Sequence, residues 1–129
     1  MPSWASILPR KFKDGMLNGL TQLNIELNSV CNKQTLCSFC GHQDPAIHPF
    51  RTKGQVSDAH LQAWAAQVPA GIVVQFHRDS DPLAYTGRLD TALDYFAHCI
   101  RSLVTHGETL ADRADELIGH CEVITVSVF

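Results

Sequence analysis

Residues 21–40 read TQLNIELNSVCNKQTLCSFC, and the reading of the whole chain turns on them. Thr21 to Asn28 alternates, with Leu23, Ile25 and Leu27 on one side, which is the period-two pattern of a strand with one buried face. Three thiols come directly after it: Cys31, Cys37 and Cys40, with five and two residues between successive cysteines. Residues 29–56 also hold Gly41, Pro45, Pro49 and Gly54 and show no sustained period. A loop of that length inside a compact domain is usually functional, so the chemistry is expected there.

Downstream, helical and strand patterns take turns. Ser57 can cap a helix carrying Leu61, Trp64, Ala65 and Val68 on one face, stopped by Pro69 and Gly71. Ile72 to Phe76 (IVVQF) suits a strand covered on both faces. From Leu89 a second helix places Leu93, Phe96 and Ile100 together, followed by a brief strand at Leu103 to Thr105 and a turn at Gly107. Leu110, Ala114, Leu117 and Ile118 mark a third helix, whose Asp112, Arg113, Asp115 and Glu116 read as its wet face. Val123 to Phe129 (VITVSVF) is the last strand. Upstream, residues 1–20 are an irregular leader.

This alternation predicts an α/β fold in the order βαβαβαβ, with parallel strands and right-handed crossovers. The final strand has neither a charge nor a proline to protect an edge, so it is expected to pair with another strand. The expectation is a partial (βα) barrel over residues 21–129, truncated after its fourth strand.

Composition narrows the function. The 129 residues include ten Lys and Arg against thirteen Asp and Glu, a net charge of −3, without the basic stripe that would bind nucleic acid. Arg10, Lys11 and Lys13 are not followed by a secretory apolar stretch. Ala59 to His77 lacks charged residues other than histidine, but three glutamines and a proline interrupt it, which argues against a membrane span. A cytoplasmic protein is expected, and in a reducing compartment free thiols serve metals or catalysis. Cys99 and Cys121 stand apart in apolar surroundings and read as small buried hydrophobes.

Three thiols leave two readings open. A structural zinc site is closed by four ligands, and Cys31, Cys37 and Cys40 with His42 or His48 would complete one in a zinc-binding interaction module. A four-iron cluster held by three thiolates instead keeps one iron open. Position favours the second, because ligands of parallel α/β folds gather at the carboxyl ends of the strands.

The segment LNIELNSVCNKQTLCSFCGH resembles the start of radical S-adenosylmethionine enzymes: a first strand with Glu26, a cysteine followed by Asn32, then a cysteine pair enclosing an aromatic residue, Phe39. The resemblance continues in order. Phe76 to Leu83 (FHRDSDPL) looks like a variant of the family's Gly-Gly-Glu-Pro turn, Leu103 to Gly107 (LVTHG) looks like its Thr-Asn-Gly ending, and Ile124 to Phe129 resembles its fourth strand. Five residues separate the first two cysteines where the family usually has three, and Asp79, Ser80 and Asp81 stand in place of two glycines and a glutamate.

What the resemblance implies is specific. Cys31, Cys37 and Cys40 would ligate a [4Fe-4S] cluster whose open iron takes S-adenosylmethionine, and an electron from a one-electron reductant such as flavodoxin or ferredoxin would cleave it to a 5′-deoxyadenosyl radical. That radical would abstract hydrogen from a substrate the sequence does not identify. Phe39 would lie near the adenine. Asp79, Ser80, Asp81 and Pro82 would border the methionine amino group, and Ser127, inward if Val126 and Val128 point outward, would reach the ribose or carboxylate. His77 and His106 follow strands at the ligand-bearing end, where a structural role is the commoner outcome.

Overall fold

A computed structural model describes residues 19–29, 31, 54–78 and 80–128. Its frame is one parallel sheet of four strands in the order β1 (Gln22–Ile25), β2 (Val73–Phe76), β3 (Ile100–Thr105) and β4 (Val123–Val126). Sequential order means that each crossover joins neighbours, as in a barrel wall. The register aligns Ile25 with Phe76, Phe76 with Leu103, and Leu103 with Ile124, so these side chains share one face.

That face carries the core. Ile25, Leu27, Val74, Phe76 and Leu103 pack with Leu61, Ala65 and Val68 from helix α1 (Asp58–Gln67) and with Leu89, Ala92 and Leu93 from helix α2 (Leu89–Asp94). Phe96, just beyond α2, meets Phe76 edge to face at 5.6 Å. The opposite face is mixed: Gln22, Asn24, Gln75, Ser102 and Thr125 fall on it by register, beside Val73, Ile100, Val104 and Val123. In a (βα) barrel the helix-free face is the inner one.

Helix α1 begins as its sequence predicts. Ser57 is extended, and its Oγ accepts from His60 N at 3.3 Å, satisfying one of the donors that a helix start leaves over. Leu61, Ala65 and Val68 are buried, but Trp64 stays 40% exposed, stacked on His60 instead of entering the core.

Two expectations are corrected. The second helix ends at Asp94 and not near Ile100, because Phe96, Ala97 and Cys99 donate to carbonyls three residues back and tighten the chain into β3. Ile100 belongs to that strand, which is six residues long. The expected third helix is a 3₁₀ segment, Ala111–Glu116. Residues three apart eclipse in that geometry, which brings Arg113 and Glu116 side by side and leaves Ile118 73% exposed.

Those two residues are not a wet face. Arg113 donates to the carbonyls of Leu83, Tyr85 and Gly87, while Glu116 accepts from Leu89 N at 2.7 Å and so caps α2 from a distance. A second tie crosses the sheet edge. Arg101 is buried on β3 and donates to Glu122 at 2.6 Å and to Asp94 at 3.2 Å. No described helix is long and apolar enough to cross a membrane.

Candidate functional site

The carboxyl ends of the strands carry four buried polar residues, Asn28, Ser80, Asp81 and Thr105. After β1 the chain runs through Leu27 and Asn28 to Ser29, and there residues 54–56 return to it. Val56 N donates to Leu27 O at 2.9 Å, Ser29 N to Gly54 O at 3.0 Å, and Gly54 N to Ser29 Oγ at 2.7 Å. The two ends of the cysteine-bearing loop are therefore fixed together at the carboxyl end of β1. Cys31, half-buried, lies just beyond this junction. Cys37, Cys40, Phe39, His42 and His48 lie outside the described residues, as does Asp79. Among the described residues no group of three or more His, Cys, Asp or Glu is placed to hold a metal.

Behind the junction lies a buried network. Asn28, 3% exposed, donates from Nδ2 to Asp81 O at 3.0 Å, and its own carbonyl accepts from Ser80 Oγ. Asp81, 4% exposed, starts the short 3₁₀ turn Pro82–Ala84 by accepting from Leu83 N at 2.9 Å. The same carboxylate reaches β3. Thr105 Oγ1 lies 2.9 Å from both of its oxygens, and His106 N donates to Oδ2 at 2.9 Å. His106 Nε2 stands 3.2 Å from Oδ2 as well.

Of the expected cofactor-contact residues, Ser80, Asp81 and Pro82 are thus brought together, all three buried. Ser127 continues the β4 ladder, its N donating to Thr105 O at 2.8 Å. By alternation it falls on the helix-free face and Val126 on the helix side. Extending the register one step past Ile25 and Phe76 sets Glu26 beside His77 on that same face. His77 Nδ1 is buried with no hydrogen-bond partner, an uncommon state for a ring nitrogen.

Asn28 and Thr105 are network residues that sequence reading passes over. Thr105 had a signal: on β3 it alternates with Leu103 toward the helix side, and a buried hydroxyl there requires a partner. Among the described residues, two of the clefts border β1. The larger, about 420 Å³, runs along its outer edge between Leu20, Leu23, Trp64 and Val68, away from this network. The smaller, about 220 Å³, lies at the loop junction among Glu26, Asn28, Ser29 and Gly54, where the polar groups are. We place the site at the smaller one.

The thiols elsewhere behave as expected of packed cysteines. Cys99 is 2% exposed, and burial pushes the Cys121 thiol up from its ordinary value.

The fold of the chain is similar to that of BtrN. The crystal structure of BtrN in complex with AdoMet and 2-DOIA matches with a TM-score of 0.56 over 82% of this chain and 44% of that one, at 16% identity. A selenomethionine BtrN structure in an open conformation matches with a TM-score of 0.52 over 82% of this chain and 55% of that one, at 17% identity. The chain thus spans about half the length of these proteins, and the likeness is one of fold. Its sequence matches no protein-family model and no curated protein.

Proposed function

We propose that the chain carries the cluster-binding part of a radical S-adenosylmethionine enzyme. The observation that supports this reading most directly is the loop junction. Leu27 to Ser29 and Gly54 to Val56 hold both ends of a loop with three closely spaced cysteines at the carboxyl end of the first strand of a parallel sheet. In parallel α/β folds that is the end where ligands bind.

The donor set fits the group. Cys31, Cys37 and Cys40 supply three soft thiolates, the number that leaves one iron of a [4Fe-4S] cluster open. When bound, such a cluster would pass one electron from the external reductant to S-adenosylmethionine, breaking its carbon–sulfur bond to give methionine and a hydrogen-abstracting 5′-deoxyadenosyl radical. This chain's residues bind and orient. Phe39 offers an aromatic face to the adenine. The turn of Asp79, Ser80, Asp81 and Pro82 borders the methionine part, where its main-chain carbonyls accept from the amino group. Ser127, on the helix-free face, reaches the ribose or carboxylate. A one-electron reductant of the flavodoxin or ferredoxin kind is the partner this chemistry calls for.

Anaerobic reconstitution with iron and sulfide tests the reading. The wild-type chain and Cys121→Ala are expected to take up about four irons, whereas Cys31→Ala, Cys37→Ala and Cys40→Ala lose most of them. Stoichiometric zinc in place of iron would instead establish a closed cysteine and histidine site.

A further inference from the structure

We infer that Asp81 is a positioning residue, whose carboxylate fixes the loops around the proposed cofactor site and takes no ligand group itself. The inference rests on the cofactor reading above and departs from what resemblance alone assigns to this position. A carboxylate offers about four acceptor sites. Three hydrogen bonds from protein donors reach them here: Leu83 N at 2.9 Å, Thr105 Oγ1 at 2.9 Å and His106 N at 2.9 Å. His106 Nε2 also stands 3.2 Å from Oδ2 and Asp81 is 4% exposed, so the carboxylate is enclosed by protein.

The donors come from two loops, and the Asp81 main chain adds a third. Its carbonyl accepts Asn28 Nδ2 at 3.0 Å, so one residue joins the segments that leave β1, β2 and β3. Thr105 completes the clamp by directionality. Its Oγ1 accepts from Gly107 N at 3.0 Å, which leaves its single proton for Asp81. A cationic amino group arriving at this end therefore does not pair with the Asp81 carboxylate. The carboxylate decides where the turn stands.

Direct contact and positioning are separable through Thr105, which is 2% exposed and sits behind Asp81. The experiment compares S-adenosylmethionine affinity of the reconstituted wild type with Asp81→Asn, Thr105→Val, the double variant, Thr105→Ser and a core variant, Leu93→Ala. Amide hydrogen exchange is followed in the same proteins. Asp81→Asn and Thr105→Val are each expected to weaken binding roughly tenfold, as loss of an orienting partner commonly does. The double variant is expected to be no weaker than Asp81→Asn alone, because both break one network. Thr105→Ser should bind as wild type, and Leu93→Ala should unfold at lower temperature while keeping its affinity. Both clamp variants should speed exchange at Leu83, His106 and Gly107.

If Thr105→Val binds as tightly as wild type while Asp81→Asn does not, Asp81 touches the ligand and the inference is overturned. Wild type that fails to bind S-adenosylmethionine at all would sink the cofactor reading instead. The exchange data would still judge the clamp, which falls if those amides stay protected in both variants.

Discussion

Arg113 shows how one side chain can hold several segments in register. Its guanidinium serves the carbonyls of Leu83, Tyr85 and Gly87 and pairs with Glu116 at 2.8 Å. Because those carbonyls belong to the segment between Asp81 and α2, Arg113 supports the site from the side away from the sheet. Truncation strands three acceptors and a carboxylate. Arg113→Ala is therefore expected to cost about 2–3 kcal/mol in denaturant unfolding, well above the typical loss at an ordinary surface arginine. None of this is legible locally. Asp112, Arg113, Asp115 and Glu116 form two adjacent polar pairs three residues apart, which a helix period reads as a solvated face, and the partner carbonyls lie 26–30 residues away in sequence. Asp81 was legible as a residue of interest, but its partners were not.

At the scale of elements, the strands and the first helix were readable because each rule acts alone there. Leu23, Ile25 and Leu27 alternate without competition, and Ser57 meets its expected donor at the start of α1. The boundary between α2 and β3 was misread because Phe96 and Ile100 sit four apart as in a helix, while Ile100 to Thr105 is buried at every position but Val104 and carries no period-two signature of a strand. The bonds of Phe96, Ala97 and Cys99 to carbonyls three residues back end the helix before it.

The two carboxylates that tie elements together also set a pH dependence. Hydrogen bonds from Arg113 hold the Glu116 carboxyl below the usual range. For Glu122 burial pushes upward, but the bonds from Arg101 outweigh it and the net shift is down. A depressed folded value means stabilisation that is complete above the unfolded pKa, about 4.3, and lost as pH falls through the folded value. Thermal melts should be flat from neutral pH to about 5 and fall below about 4. Glu116→Gln and Glu122→Gln should each lower the neutral melting temperature and flatten the acid limb. A profile unchanged by both substitutions would remove these pairs from the stability account.

The whole molecule divides its labour between two faces and one end. The helix-covered face supplies the core, the opposite face mixes polar and β-branched residues, and the carboxyl ends gather Asn28, Ser80, Asp81, Thr105 and the base of the cysteine loop. The central claim is that this end takes an open cluster and S-adenosylmethionine together. Electron paramagnetic resonance of the reconstituted, dithionite-reduced protein, recorded with and without S-adenosylmethionine, tests it most directly. The account predicts the signal of a reduced four-iron cluster that changes shape on adding S-adenosylmethionine and vanishes in Cys31→Ala. A cluster signal indifferent to S-adenosylmethionine, or no cluster in a folded protein, would contradict it.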